Sequence, residues 1–165
     1  MSNPLNQPVD DDLVLVITRT LNAPRALVWR AFSDPAHLSR WWGPQHFTNP
    51  VCELDFRVGG HWHNVMRGPD GSEYPTDFTF VEIVEPERIV LRNAPGKGEV
   101  WGDNPPPSFN RTITFEEIGA DQTLLTVHAV FGSLEHKESV VRRGWITGTN
   151  ESFDKLEALL AEEAR

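Results

Sequence analysis

The stretch Phe109–Phe131, "FNRTITFEEIGADQTLLTVHAVF", decides the fold because it encodes two strands joined by a tight turn. β-Branched and aromatic residues alternate with polar ones on both sides of "GAD", which is typical of neighbouring antiparallel strands. Alternation turns one set of these residues towards the interior, where we expect them to supply the floor of a cavity. The predicted floor consists of Ile113, Phe115, Val127, Ala129 and Phe131.

The same pattern of strands and turns extends upstream to about Phe47. "HWHNVMR" (His61–Arg67) is a strand framed by Gly59-Gly60 and the turn "GPDG". "EYPTDFTFVEIV" and "ERIVLRN" are two more strands, separated at Glu85-Pro86. Short turns between successive strands predict an antiparallel meander, interrupted only by the longer loop "APGKGEVWGDNPPPS".

Helical patterns lie at both ends of the meander. Downstream, the spacing of apolar residues predicts one long helix from roughly Ser133 to Ala161. Its interior-facing residues are Val141, Trp145, Thr149, Phe153, Leu156 and Leu160. The middle of this face is small, with Gly148, Thr149 and Ser152, which indicates either close contact between helix and sheet or the wall of a cavity.

Upstream, "LVLVITRTL" predicts a first strand, followed by two short helices that end at Gly43-Pro44. Pro24 suits the start of the first helix, and Ser33 or Asp34 the cap of the second. The fold class is therefore α+β, with a curved antiparallel sheet wrapped around a long C-terminal helix and two short helices after strand 1. We expect a flexible tail over residues 1–11 and a single domain over residues 12–165.

Composition excludes several classes of partner. The chain of 165 residues carries 15 Lys and Arg against 24 Asp and Glu, a formal net charge of −9, which argues against nucleic acid and anionic membranes. It has no signal-like or membrane-length apolar run, so we expect no membrane insertion. A single cysteine, Cys52, favours a cytoplasmic location and an inert thiol. Monomer and homodimer both remain open.

The His61-Trp62-His63 sequence raises the question of a metal site. Alternation puts His61 and His63 together on one face of their strand, which we interpret as the outer face. Zinc needs about four ligands, and no HxxxH or CxxC motif accompanies the pair. We therefore predict no metal and no cofactor, and zinc titration of the doubly substituted protein tests this.

Trp62, Asn64 and Met66 then face inward from the same strand. Trp62 and Met66 are adaptable apolar residues that suit a ligand cavity. Asn64 is unusual there, because a buried amide needs hydrogen-bond partners. It either bonds to a neighbouring strand or water, or orients the polar atom of a bound ligand.

Motifs for catalysis are weak. No G-x-S-x-G motif and no glycine-rich phosphate loop is present, and Glu116-Glu117 point to opposite faces of a strand. His128 lies among apolar residues, where a structural role is commoner, and it is the first choice for a catalytic group if the chain has enzyme activity. We predict no catalytic residues.

Several stretches together resemble a known family. They are "NAPRALVWRAFSDPAHLSRWWGP" (Asn22–Pro44), "FRVGGHWHNVMRGPDG" (Phe56–Gly71), "FVEIVEPERIV" (Phe80–Val90), "TITFEEIGADQTLLTV" (Thr112–Val127) and Gly144-Trp145. This set resembles the family of homologues of the activator of the heat-shock-chaperone ATPase, within the START-like superfamily. The resemblance implies the helix-grip fold of the birch-pollen allergens, with a cavity between sheet and C-terminal helix.

The resemblance implies less about function than about fold. Superfamily members bind lipids, sterols, polyketides or other apolar molecules, and a minority are enzymes. Phe78 stands where a glycine is common, and Asn93 where a tryptophan is common. The Gly96–Ser108 loop, with Trp101, is longer than typical, so Phe78 is expected to narrow the cavity and the loop to cover its mouth.

We therefore predict a binding module for a small apolar or aromatic molecule. Alternatives are a chaperone-interacting stress-response protein and a cyclase- or hydrolase-type enzyme on a polyketide-like substrate. The candidate ligand-binding residues are Trp42, Trp62, Asn64, Met66, Phe80, Trp101, Phe115, Val127, Ala129, Trp145, Thr149 and Phe153.

Overall fold

The computed structural model describes residues 11–96, 99–103 and 105–163, which form one antiparallel sheet and four α-helices. The strands are β1 (Val14–Leu21), β2 (Thr48–Leu54), β3 (His61–Arg67), β4 (Glu73–Val84), β5 (Arg88–Asn93), β6 (Asn110–Gly119) and β7 (Gln122–Val130). The helices are α1 (Arg25–Ser33), α2 (Pro35–Trp41), α3 (Leu134–Arg142) and α4 (Trp145–Glu163). The predicted tail, residues 1–11, lies outside the described residues except for Asp11, which begins a 3-10 turn (Asp11–Leu13).

The seven strands follow the order β1-β7-β6-β5-β4-β3-β2, which confirms the predicted meander and fold class. β6 and β7 pair in the hairpin that the sequence indicates, with Ile113 opposite Val127. All five residues of the predicted floor are buried, but of the five only Ile113 and Val127 line the cavity described below. β1 is an edge strand that pairs with β7, so the first and last strands in the sequence are neighbours in the sheet.

The two helices after β1 match the prediction closely. Asp34 caps α2, since its side chain accepts a hydrogen bond from the Ala36 backbone N–H at 3.0 Å. Gly43 then leaves the helical path with a φ of 95°, in the left-handed region that glycine adopts without strain. Within the described residues, no helix is long and apolar enough to cross a membrane.

The segment predicted as one helix from Ser133 to Ala161 is two helices. Gly144, with a φ of 86°, ends α3, and its N–H donates to the Val141 carbonyl at 3.0 Å. A left-handed glycine at this position commonly terminates a helix. The long C-terminal helix of the fold therefore begins at Trp145, and the α3–α4 corner lies at one end of the interior.

The second half of α4 packs into a filled core. Leu156, Leu159 and Leu160 are buried against the sheet and the first two helices. Edge-to-face contacts tie α1 to the sheet: Trp29 and Phe32 each lie 5.1 Å from the ring of Phe115. The first half of α4 faces the sheet differently, because the space opposite it is not filled.

Candidate functional site

A cavity of about 260 Å³ lies between the sheet and the first half of α4. Strands β3 to β7, the Trp41–Pro44 turn, the α3–α4 corner and the loop before β6 all contribute to its wall. Of the sequence-predicted ligand-binding residues, the structure brings together Trp42, Met66, Trp101, Val127, Trp145, Thr149 and Phe153 around this cavity. Phe78 lines it too, and stacks on Trp62 with ring centroids 4.4 Å apart.

The other predicted residues lie elsewhere in the interior. Trp62 lies behind Phe78, and Phe80 and Phe115 belong to the filled core. Ala129 belongs to a smaller cluster with Phe109 and Phe131. These residues support the cavity wall or the core and do not line the cavity, so a ligand contact from them stays a prediction.

Asn64 is fully buried and is part of a chain of amides. Its Nδ2 donates to Asn49 Oδ1 at 2.9 Å, and Asn49 Nδ2 in turn donates to the carbonyls of Ser39 and Trp42. The Oδ1 of Asn64 has no hydrogen-bond partner among the described residues. Asn64 does not line the cavity, so its contacts hold the end of α2, and with it Trp42, against β2 and β3.

The histidines of β3 point away from this interior. Along the strand, His61 is exposed, Trp62 is buried, His63 is half-buried and Asn64 is buried, as the alternation predicts. His63 Nδ1 lies 2.7 Å from Asp77 Oδ1, and His61 Nδ1 lies 3.3 Å from the Thr79 hydroxyl. Among the described residues there is no group of three or more His, Cys, Asp or Glu that could hold a metal ion.

Two other residues singled out from the sequence also lie off the cavity. His128 alternates with the buried Val127 and Ala129, and its neighbours in the sheet are Val16 and Thr112. Cys52 is half-buried, and burial raises the pKa of its thiol, which disfavours the reactive thiolate.

Of the two roles that the sequence left open for the small residues of α4, the structure shows the cavity wall, and the close approach that it shows is to a turn and not to the sheet. Gly148, Thr149 and Ser152 line the cavity. A side chain at Gly148 would also come within 3.3 Å of Pro44, so the glycine allows the helix to approach the Trp41–Pro44 turn closely. The Ser152 hydroxyl is satisfied within the helix, where it donates to the Gly148 carbonyl at 3.0 Å.

Polar contacts hold two segments of the cavity wall, the turn after α2 and the loop before β6. Lys155 Nζ lies 3.1–3.4 Å from the backbone carbonyls of Trp42, Gly43, Pro44 and Phe47, which share its three N–H donors, and this fixes the turn after α2. Burial lowers the pKa of this amine. Asn93 closes the loop before β6: its Nδ2 donates to the Pro107 carbonyl at 3.0 Å. The turn and the loop both contribute to the cavity wall, and these contacts hold them in place.

Arg111 is the residue that sequence reasoning missed. It lies on β6 between Phe109 and Ile113, both buried, and it lines the cavity. Its Nε is enclosed without a hydrogen-bond partner, and the guanidinium forms no hydrogen bond or ion pair with any residue in the described ranges. Burial lowers the pKa of Arg111 to about 10, so the side chain remains a cation at neutral pH.

Aromatic rings surround the Arg111 guanidinium. Its Cζ lies 4.7 Å from the ring centroid of Phe109, 5.3 Å from Phe78, 5.8 Å from Trp42 and 5.9 Å from Trp145. These distances are within the range of cation–π attraction, which offsets part of the cost of burying the charge. The sequence contained a signal for this residue. Strand alternation places Arg111 on the same inward-facing surface as Phe109, Ile113 and Phe115.

A larger surface groove of about 780 Å³ adjoins the cavity, and Pro106 and Phe109 line both. Charges of both signs, from Arg92, Glu135 and Arg142, border the groove, as on an ordinary protein surface. The smaller cavity holds the unpartnered cation and the aromatic wall, and we take it as the candidate site.

Comparison with known proteins agrees with this architecture. The family model of the Activator of Hsp90 ATPase homolog 1-like protein matches residues 22–161. A solved protein from Nitrosomonas europaea is 27% identical with a TM-score of 0.83, covering 94% of this chain and 99% of that chain. One from Mycobacterium smegmatis is 29% identical with a TM-score of 0.81, covering 94% and 96%. The AHSA1 protein from Silicibacter pomeroyi, 24% identical with a TM-score of 0.74 over 91% and 99%, shares the fold. A search of curated proteins found no match.

Proposed function

This chain belongs to the Activator of Hsp90 ATPase homolog 1-like family, and we propose that it is a module that binds a small apolar or aromatic molecule between the sheet and α4. The observation that carries the proposal is the aromatic wall of the cavity, which includes Trp42, Phe78, Phe109 and Trp145. Transfer of apolar surface from water into such a space supplies binding free energy without further chemistry.

The size of the cavity narrows the class of ligand. At about 260 Å³ it lies below the range of roughly 300–1,000 Å³ that is common for drug-sized ligands. It exceeds the roughly 150 Å³ that accommodates a benzene molecule in an engineered protein cavity. We therefore propose a ligand of one or two rings, or a short acyl chain, in place of a sterol or a long fatty acid.

The ionisable groups of the wall favour binding over catalysis. Among the described residues that line the cavity, the ionisable side chains are Arg111 and Arg143. A guanidinium stays protonated at neutral pH and cannot act as a general base there. The described wall therefore offers no acid–base pair for the cyclase- or hydrolase-type alternative.

Ligand-induced thermal stabilisation tests the proposal. Indole and other small neutral aromatics at about 100 times their dissociation constants should stabilise the protein by about 2.7 kcal/mol, which is about 5–10 °C in melting temperature for a chain of this size. The Thr149→Phe variant, which places a ring in the cavity, should lose this response. The control is Thr147→Phe, an exposed position on the same helix.

Two outcomes would contradict the proposal. One is that no small aromatic or apolar compound raises the melting temperature of the parent protein. The other is that Thr149→Phe responds as strongly as Thr147→Phe. The same two variants distinguish ligand binding from a chaperone-interacting role. If the protein stimulates a heat-shock chaperone ATPase and Thr149→Phe still does so, that stimulation does not require the cavity. A cytoplasmic location and the oligomeric state stay predictions.

A further inference from the structure

The position of Arg111 deepens the proposed function, on which the following inference rests. We propose that the ligand of the cavity carries a single carboxylate, and that Arg111 binds this carboxylate while the ligand's apolar or aromatic body fills the aromatic wall. The inference begins from the absence of a counter-ion. The chain contains 24 Asp and Glu residues, yet no described residue that lines the cavity is acidic.

The aromatic rings around Arg111 do not replace such a counter-ion. A guanidinium has five N–H donors, and buried donors without acceptors are costly. The rings attract the positive charge but accept hydrogen bonds only weakly. Trp101 adds a second enclosed donor to the same wall, since its Nε1 also has no partner among the described residues. Both side chains lack an acceptor, which a ligand oxygen would supply.

The backbone near the cavity favours the same charge. Gly144, Trp145 and Gly148 line it, so the N-terminus of the 19-residue helix α4 borders the space. The first turn of α4 contains no acidic residue. The partial positive charge at a helix N-terminus stabilises anions nearby. The helix end therefore favours the same sign of ligand charge as Arg111 does.

The shape and number of the groups select a carboxylate. The fork of a guanidinium matches the two oxygens of a planar carboxylate, which it binds through parallel N–H···O hydrogen bonds. One enclosed cation neutralises one negative charge, so a monoanion leaves no second charge uncompensated in the apolar cavity. Small aromatic and short-chain monocarboxylates therefore fit both the volume and the charge.

Calorimetric titration with matched acids and amides tests the inference. The probes are benzoate and 3-phenylpropanoate, each compared with the corresponding neutral amide of equal size. The parent protein should bind each acid about 10- to 100-fold more tightly than its amide, because hydrogen bonds to a charged group contribute strongly in an enclosed site. Arg111→Met should lose this preference, so that each acid and its amide bind with affinities within about threefold of each other.

Arg92→Met is the control, because Arg92 is an exposed arginine on the adjacent strand β5 and does not line the cavity. It should retain the full preference for the acids. Arg111→Lys keeps the charge without the fork and should show an intermediate ratio. If Arg111→Met fails to fold, the ratio of acid to amide affinity in the parent protein and in Arg111→Lys decides alone.

The outcomes separate this inference from the proposed function. Equal affinity of the parent for acids and amides, or an unchanged preference in Arg111→Met, would overturn the carboxylate and leave the binding module intact. Failure of the parent to bind any of the four probes, together with no thermal response to neutral aromatics, would overturn the binding module and the carboxylate with it.

Discussion

Two arginines occupy equivalent inward positions on different strands, and their surroundings are opposite. Arg19 lies on β1 between the buried Ile17 and Leu21, and Arg111 lies on β6 between the buried Phe109 and Ile113. Arg19 donates to Asp154 at 2.9 Å and to Glu157 at 3.1 Å, both on α4. Arg111 faces the first half of the same helix, where Gly148 and Thr149 offer no acid.

The pKa values of the two side chains shift in opposite directions. Burial lowers the pKa of Arg19, but the hydrogen bonds that Arg19 donates to Asp154 and Glu157 outweigh it, so the net pKa is raised. Burial lowers the pKa of Arg111 to about 10, and no acidic residue in the described ranges forms a hydrogen bond or ion pair with it. The comparison indicates that Arg19 connects sheet and helix, whereas Arg111 is retained at a cost to stability. Such a cost is typical of functional positions.

The largest effect on stability is expected at Arg111, with a sign that is unusual for a half-buried residue of the interior. The folded pKa lies below the ordinary value, so the charged form destabilises the folded state at every pH below about 10, and the penalty fades as the pH rises further. Arg111→Met should therefore raise the free energy of unfolding by about 1–3 kcal/mol. Chemical denaturation at pH 7 measures this change. A loss of stability would mean that Arg111 stabilises the folded state, as Arg19 does, and would contradict the comparison.

A smaller effect of opposite sign is expected at Arg19. Arg19→Met removes hydrogen bonds to two partly exposed carboxylates, so we expect a loss of about 1 kcal/mol in the free energy of unfolding at low salt. The loss should shrink in 1 M NaCl, because salt screens ion pairs that water reaches. A gain in stability, or a loss that salt does not alter, would contradict the role assigned to these ion pairs.

The smallest effect is expected on the outer face of β3. The His61→Ala/His63→Ala double variant removes exposed or half-buried side chains, and its stability should lie within about 0.5 kcal/mol of the parent. Its affinity for the aromatic probes should be unchanged, since neither histidine lines the cavity. Zinc titration compares the two proteins directly. Weaker zinc binding by the double variant would support a metal site on this face.

The fold was predictable because it depends on patterns of local range. Alternation within β6 and β7, turn residues between strands and capping by Asp34 all act over a few residues, and the structure confirms them. The break at Gly144 was missed, since helical periodicity of apolar residues continues from Val141 to Trp145 across it. Only the left-handed glycine, which periodicity does not register, separates α3 from α4.

The candidate site was predictable only in part. Periodicity selected Trp145, Thr149 and Phe153 because they share one helix face, and they line the cavity. It also selected Phe115 and Ala129, which share the inward face of the sheet but lie over filled core. Alternation identifies which face of the sheet a residue occupies. It does not show at which positions along that face the opposing helix packs closely and at which it leaves a gap.

The sequence by itself determined that Arg19 and Arg111 face inward, because strand alternation and the apolar residues on either side of each are local properties. Only the tertiary structure decided their roles. The position of α4 over the sheet sets Asp154 and Glu157 against one arginine and an aromatic cavity against the other. Contacts between residues more than 100 positions apart depend on how helix and sheet pack together, and the energy of a buried charge depends on the groups that packing brings to it.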